Sequence, residues 1–309
     1  MAANVETMFY TREKPWHGLG TKVESAPDSY HALIYAGLDW EVVQKSVYTG
    51  DGISLPGYRA NVRSTDDAVL GVVTDKYKVI QNREAFAFTD ELLGEGVRYE
   101  TAGSLQGGKR VWLLARMPRS FVICGDRIDP YLVFTNTHDG SGAVRVACTP
   151  IRVVCNNTLN LALSSASRSW SMVHTGDVRG KIKEARDTLF HAEDYMVHLG
   201  QEIERMSEQK MTDNQVEEMV SILLPFDAAA TERQKKTVMQ QRDDLMCRYF
   251  DAPDLKRLNG NAYRFINAVS DYATHAEPIR RTKAFGENRF ARSIDGSPLI
   301  DAAYRMVAA

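Results

Sequence analysis

The sequence predicts an α+β protein, in which a curved, antiparallel-rich sheet with inserted helices comes first and a helical region packed on it follows. Two observations support this prediction. Before Gly176, short runs of β-branched and aromatic residues alternate with Gly-, Asn- and Asp-rich turns. After Gly176, apolar residues recur at helical spacing, most clearly along Val178–Met206. We therefore expect a β-rich domain at residues 1–176 and a helical region at residues 177–309, joined as one composite unit.

The individual elements follow from local patterns. Turn-type segments at Thr49–Gly52 and Gln106–Lys109 predict hairpin connections. Asn82 is predicted to cap a helix over Arg83–Leu93, and Thr212-Asp213 to open a helix that Pro225 stops. The predicted strands are Trp40–Tyr48, Tyr58–Val62, Ala68–Val73, Arg110–Met117, Phe121–Cys124, Tyr131–Thr135 and Ala143–Val154. The other predicted helices are Ser29–Ala36, Ala228–Phe250, Asn261–Thr274 and Pro298–Val307.

Composition sets bounds on function. The chain has 309 residues, of which 44% are apolar and 25% are charged, and its formal net charge is −2. Near-neutral charge argues against nonspecific coating of DNA through global electrostatics, although it allows a local basic groove. No apolar run approaches the ~20 residues that a transmembrane helix needs, and the N-terminal segment lacks the pattern of a signal peptide. A cytoplasmic protein without membrane association is expected.

Several kinds of site lack their usual motifs. The four cysteines show no CxxC pairing, which argues against a disulfide framework or a structural zinc site. The sequence has neither a phosphate-binding GxxxxGK[ST] loop nor a GxGxxG dinucleotide fingerprint. His191, Asp194 and His198 have a spacing that brings them to one helical face. The zinc-protease pattern HExxH is absent, however, and the sequence does not identify a third ligand for a metal ion. No cofactor and no metal are predicted.

The most informative segment spans residues 130–163. An apolar run ends at the polar turn Asn136–Gly140, and a second run leads to the tetrad Cys155–Thr158. Asn and Thr side chains accept hydrogen bonds from unpaired N–H groups, so the tetrad is predicted to open a helix. The segment is thus expected to form a hairpin that feeds a buried strand, with polar groups gathered where the strand ends.

A family resemblance rests on this segment and on four others. The segment RVVCNNTL, with Arg152, Cys155, Asn157 and Thr158, resembles the phage/plasmid-like family catalogued as domain of unknown function 932. The same resemblance extends to Pro15–Gly20, Val72–Phe86, Asn267–His275 and Asn288–Gly296. It covers nearly the whole chain and implies a protein carried by phages, plasmids or integrated elements, with no assigned biochemistry.

Basic clusters point to nucleic-acid binding, because phosphate backbones require convergent cations and neighbouring aromatic rings can stack on unpaired bases. Trp112 lies two residues beyond Arg110, on the same face of a predicted strand. The segment from Pro278 holds six basic residues against three acidic ones, a net charge of +3. The candidate nucleic-acid-binding residues are Lys109, Arg110, Trp112, Arg145, Lys181, Lys183, Arg280, Arg281, Lys283, Arg289 and Arg292.

An alternative hypothesis is an enzyme, a hydrolase or transferase acting on nucleic acid or a phosphorylated small molecule. A cysteine nucleophile needs a base and an orienting group, and the candidates for such a site are His17, His138, Asp139, Arg152, Cys155 and Asn157. Against it, Asp-Gly is a common turn dipeptide and free cysteine is commonly buried. Structural roles are expected for Trp16, Arg152, Asn157 and Thr158, with Arg152 paired to a carboxylate or to strand-end carbonyls.

The favoured hypothesis is a non-enzymatic protein of a mobile element that binds single-stranded DNA during recombination or replication. The outline of a curved sheet with helices is similar to that of phage single-strand annealing proteins, which implies a homo-oligomer. A third hypothesis is an inhibitor of host defence that acts by protein–protein contact. The sequence leaves these alternatives open.

Overall fold

A computed structural model gives the structure of the chain. It describes residues 5–11, 20–93, 98–117, 119–152, 157–158, 169–175, 194–226, 231–277 and 297–308. The fold is α+β, as predicted, with most strands in the N-terminal half and most helices in the C-terminal half.

Twelve strands and seven helices lie within these described ranges. The strands are β1 Val5–Tyr10, β2 Thr21–Lys22, β3 Val42–Tyr48, β4 Ser54–Arg63, β5 Val69–Thr74, β6 Arg98–Leu105, β7 Arg110–Arg116, β8 Phe121–Ile123, β9 Asp126–Thr137, β10 Val144–Arg152, β11 Asn157–Thr158 and β12 Ser169–Met172. The helices are α1 Ser29–Tyr35, α2 Asn82–Leu93, α3 at residues 194–208, α4 Asp213–Leu223, α5 Glu232–Asp251, α6 Ala262–His275 and α7 Pro298–Ala308.

The chain divides into two compact units, and the first comprises residues 1–118, 131–148 and 167–192. Its larger sheet runs β10-β9-β7-β6-β1-β2, with β12 paired to β10. Apart from the parallel β1–β2 pair, the pairings whose register is known are antiparallel. One face of this sheet carries alternate apolar residues that are buried with residues of α1 and α2 in a single core, including Phe9, Leu113, Phe134 and Val146.

A second, three-stranded sheet in the same unit has the order β3-β4-β5. Its inner face meets the turn after β9: the side chain of Asn61 donates a hydrogen bond to the carbonyl of His138 at 2.7 Å. Gly71 lies so close to this turn that a Cβ there would stand 2.5 Å from the Cα of Asp139. Glycine is therefore required at this position of β5 because the backbone of the turn occupies the space of a side chain.

The second unit comprises residues 119–130, 149–166 and 193–309. Thr212 and Thr231 open α4 and α5 with reciprocal capping boxes to Gln215 and Gln234, and Asn261 caps α6. The predicted helix starts at Thr212-Asp213 and Asn261 are thus confirmed. Asp126 is buried in this unit, where it accepts a hydrogen bond from Tyr263 at 3.1 Å and forms an ion pair with Arg257.

Two sequence predictions are corrected, and some strands were missed. Asn82 is not a cap, because its side chain is buried and bonds elsewhere, while the backbone N–H of Gln81 is bound by Glu84. Asn157 and Thr158, which were expected at the start of a helix, form β11 in register with Arg152 and Ile151, and the residues that follow lie outside the described ranges. Strands β1 and β6 were not predicted. The proposed domain boundary at residue 176 lies outside the described residues and stays a prediction.

Candidate nucleic-acid interface

The second face of the larger sheet carries a row of arginines. Cross-strand partners in an antiparallel sheet share a face, as do residues two apart along a strand. On β7, Arg110, Trp112 and Arg116 therefore lie on one face, and Arg98 of β6 joins them because it is directly opposite Arg116. Arg145 of β10 is on the same side, since its neighbours Val144 and Val146 belong to the core on the other side. We call these four residues, Arg98, Arg110, Arg116 and Arg145, the arginine face.

Uncharged residues surround most of the arginine face in register. Arg110 is opposite Leu105 and Thr137, and Arg145 is opposite Ser171. No acidic residue occupies a paired position on this face. This holds for the paired positions of β1, β6, β7, β10, β12 and residues 131–137 of β9. The bulge residue Glu100 lies between these positions, and its carboxylate accepts a hydrogen bond from Thr11 at 2.7 Å. At the paired positions of this face, the charged residues are therefore all arginines.

The four arginines differ in exposure. Arg98 is exposed and close enough to Asp28 that its charge contributes to lowering the pKa of that carboxyl, after the hydrogen bonds from His31. The other three members of the face are half-buried. Half-buried guanidinium groups keep a stronger electrostatic attraction for an anion than fully solvated ones, because the local dielectric is lower. These three are thus the better placed for holding a phosphate.

The predicted hairpin turn beside this face is anchored rather than flexible. Gln106, Gly107 and Gly108 all have positive φ, and a Cβ at Gly108 would lie 3.3 Å from the Trp40 ring and 3.1 Å from a guanidinium nitrogen of Arg63. Gly108 therefore packs against Trp40 and Arg63. Lys109 follows at half-buried exposure, and its carbonyl accepts a hydrogen bond from the N–H of His138 at 2.7 Å.

The structure brings together part of the predicted nucleic-acid site. Arg110, Trp112 and Arg145 share one sheet face, with Lys109 in the adjoining turn, and Arg98 and Arg116 are members that the sequence analysis missed. Arg116 could have been found from the alternation along β7, whereas Arg98 joins the face only through the pairing of β6 with β7. Trp112, however, is only 4% exposed, so it offers no surface on which a base could stack. The remaining candidates lie outside the described residues: Lys181, Lys183, Arg280, Arg281, Lys283, Arg289 and Arg292.

The candidate residues of the alternative enzyme site are only partly described. His17 and Cys155 lie outside the described residues, as does Trp16, and the side chains of Arg152, Asn157 and Thr158 do too. The predicted pairing of Arg152 therefore stays a prediction. Asp139 is half-buried in its turn, where its side chain accepts a hydrogen bond from the N–H of Ser141 at 2.9 Å.

His138 has a structural place. It is fully buried, its ring meets Trp40 edge to face, and its Nε2 lies 3.0 Å from Oδ1 of Asn82. The amide nitrogen of Asn82 donates to the carbonyl of Leu38, so Oδ1 must accept and Nε2 of His138 must carry the proton. Nδ1 is then an unprotonated acceptor with no hydrogen-bond partner among the described residues. Burial first, and then the nearby charge of His174, lowers the pKa of His138 to about 3, whereas Asp139 acts in the opposite direction. A buried neutral imidazole in this position is not arranged as a general acid or base.

Neutral His138 predicts that stability falls in mild acid. Its pKa drops from 6.5 to about 3 on folding, so between these values the unfolded chain binds the proton and the folded chain does not. Stability is therefore complete above pH ~6.5 and decreases as the pH falls below it, by about 2 kcal/mol at pH ~5. Burial lowers the pKa of His174 as well, which adds to the same trend.

The measurement is thermal unfolding at pH ~7.5 and pH ~5 for the parent and for His138→Gln. The variant should be less stable at both pH values but should lose less on acidification, because only the contribution of His174 remains. Parallel losses in the two proteins would show that His138 does not titrate on unfolding.

Metal and membrane features are absent from the described part of the chain. No group of three or more His, Cys, Asp or Glu side chains there is arranged to hold a metal ion. Of the three residues considered as metal ligands, His191, Asp194 and His198, the first lies outside the described residues. Nδ1 of His198 lies 2.8 Å from the carbonyl oxygen of Asp194 in the same helix. Within the described ranges, no helix is both long enough and apolar enough to cross a membrane.

Comparison with known proteins places the chain in a family but assigns no activity. No curated protein and no solved structure matches it. A family model described as "Domain of unknown function (DUF932)" matches residues 69–294. This range includes β5 to β12 and all four arginines of the arginine face. Because the match covers more than half of the sequence, the chain belongs to the DUF932 family.

Proposed function

We propose that this protein binds nucleic acid, single-stranded DNA in particular, through the arginine face. The observation that carries the proposal is the register that brings Arg98, Arg110, Arg116 and Arg145 to one side of a sheet. Guanidinium groups bind phosphate oxygens with two parallel hydrogen bonds, which makes arginine well suited to a phosphate backbone.

The burial of Trp112 refines the proposal. Proteins that hold single strands commonly stack bases on exposed aromatic side chains. The aromatic residues that share this face are instead buried: Trp112, Tyr131 and Tyr10. Binding would then act on the backbone and leave the bases free to pair, which is what annealing of two strands requires. Sequence preference should be weak, because phosphate contacts carry no base information.

The same proposal includes the setting that the family resemblance implies. In this proposal, the protein is encoded by a phage, plasmid or integrated element and acts in recombination or replication in the cytoplasm of a bacterial host.

The test is a fluorescence-anisotropy titration of a labelled single strand at low and moderate salt. We expect binding at micromolar protein, with affinity nearly independent of sequence. The logarithm of the association constant should fall with the logarithm of salt concentration with a slope of about −2, since each phosphate contact on a single strand contributes roughly −0.7 and the proposal assigns one contact to each of the three half-buried arginines. Absence of binding, or binding without a salt slope, would refute the proposal.

A further inference from the structure

A cleft lies beside α2 in the first unit, between this helix and the strands β9, β10 and β12. Its volume is about 280 Å³, near the lower end of the range for small-molecule pockets. Most of its walls are apolar: Phe88 and Phe134 are buried, and the half-buried Trp170 packs against the core. A cleft of this size and lining can take up a small ligand with an apolar body.

Two carboxylates lie at the rim of the cleft, and both belong to α2. Glu84 and Glu91 line the cleft together with Ala87 and Phe88, and this spacing brings all four residues to one face of the helix. With a rise of about 1.5 Å per residue, the two glutamates are about 10.5 Å apart along the helix axis. Both are exposed, as is Ala87 between them. The cleft therefore has an apolar floor with a negative charge toward each end.

The charges of the lining select among classes of ligand. Both charged residues are acidic, and none of the described residues that line the cleft is basic. An anionic ligand would be repelled, and a neutral apolar ligand would take water from the carboxylates without replacing it. A ligand with a single ammonium group would pair with only one of the two glutamates. The lining therefore favours a ligand with two cationic ends joined by an apolar chain.

The lining also has the groups that bind an ammonium ion. A carboxylate has lone pairs for several hydrogen bonds, so it can accept from a ligand as well as from a neighbouring residue. Oε2 of Glu84 accepts a hydrogen bond from the backbone N–H of Gln81 at 2.8 Å, which holds this side chain at the start of α2. Trp170 adds an indole ring to the same lining, and cations are attracted to the faces of aromatic rings.

We infer that the cleft beside α2 binds a linear aliphatic diamine, the chemical class that includes the polyamines. Its methylene chain lies on Ala87 and Phe88, and its terminal ammonium groups bond to Glu84 and Glu91. An extended chain of about eight carbons separates its two nitrogens by roughly the distance between these glutamates along the helix. The inference stands on the cleft alone and does not depend on the proposed function.

The first experiment measures ligand binding to the full chain by isothermal titration calorimetry at low salt. The ligands are 1,8-diaminooctane, octylamine, 1,8-octanediol and 1,4-diaminobutane, and the first should bind most tightly. Octylamine should bind about threefold more weakly and the diol about tenfold more weakly, because they lack one and two exposed ion pairs. 1,4-Diaminobutane should bind roughly tenfold more weakly or worse, since it buries fewer methylene groups and does not reach both glutamates.

The second experiment repeats the titration of 1,8-diaminooctane on variants. Glu84→Gln and Glu91→Gln should each weaken binding about threefold, and glutamine at residue 84 can still accept the N–H of Gln81. Ala87→Arg should abolish binding, because an arginine three residues after one glutamate and four before the other pairs with both carboxylates. Glu217→Gln on α4 is the matched control, since Glu217 is exposed and does not line the cleft. The control should bind the diamine like the parent.

Equal affinities of the parent for the diamine, octylamine and the diol would overturn the inference, as would the absence of binding at millimolar diamine. An affinity that stays unchanged in all three cleft variants would also overturn it, because the diamine would then bind elsewhere. Thermal unfolding checks that each variant is folded. The ligand series requires only the parent protein, so it decides the inference even where a variant is unfolded.

Discussion

Replacing Asn82 with alanine is expected to lower the free energy of unfolding by about 3 to 5 kcal/mol, the largest effect on stability that the structure indicates for a single polar side chain. The amide nitrogen of Asn82 donates to the carbonyls of Leu38 and Trp40, at 3.0 Å and 3.4 Å, and its oxygen accepts from His138 at 3.0 Å. All of these groups are buried, so the partners left behind would have neither protein nor water to bond to.

The measurement is equilibrium unfolding in urea at neutral pH. The neighbouring variant Arg83→Ala is the control, because Arg83 is exposed on the same helix and contacts Asp39 only at the surface. It should change stability by less than ~0.5 kcal/mol. A loss below ~1 kcal/mol for Asn82→Ala would mean that the bonds around His138 do not hold the turn after β9 to the rest of the unit.

Asn82 also shows where local sequence patterns fail. An asparagine just before a helical pattern is the usual sign of a cap, and the helix indeed begins there. Its side chain instead bonds residues that lie 42 to 56 positions away along the chain. No local pattern contains these partners, so the tertiary network overrides the local preference. The same holds for His138, whose carbonyl is bound by Asn61, 77 positions earlier.

Strand β6 was missed for a different physical reason. Its sequence, RYETAGSL, is poor in β-branched residues and contains a glycine, which is typical of a loop. Gly103 is required because a Cβ there would clash with the backbone oxygen of Thr7 on β1 and would stand 2.6 Å from the ring of Trp112 on β7. A large side chain on one strand thus excludes a side chain on the next, and only the register of the sheet reveals it.

The candidate site was predictable in its elements but not in its assembly. The alternation along β7 correctly predicted a strand and put Arg110 and Trp112 on one face. It did not predict that Trp112 would be buried, since alternation distinguishes the two faces of a strand but not whether both are covered. Arg98 and Arg145 join the face through pairings between strands that are far apart in sequence.

The second large expected effect concerns the arginine face. The double variant Arg110→Gln/Arg145→Gln should bind a single strand about 100-fold more weakly than the parent, because each lost charge-assisted phosphate contact costs roughly tenfold in affinity. Both residues have uncharged neighbours in register, so glutamine should be accommodated there. The loss should be the same for every sequence, and thermal unfolding of the variant checks that the sheet is intact.

The salt dependence of this double variant, measured beside Arg83→Gln, tests the central claim most directly. Arg83 has the same charge and lies in the same unit, on α2 and away from the arginine face. The account predicts that the log–log slope of the double variant is shallower than that of the parent by about 1.4, or ~0.7 for each lost contact, while Arg83→Gln keeps the slope and affinity of the parent. Equal slopes and affinities in the double variant, the control and the parent would contradict the claim that nucleic acid binds at the arginine face.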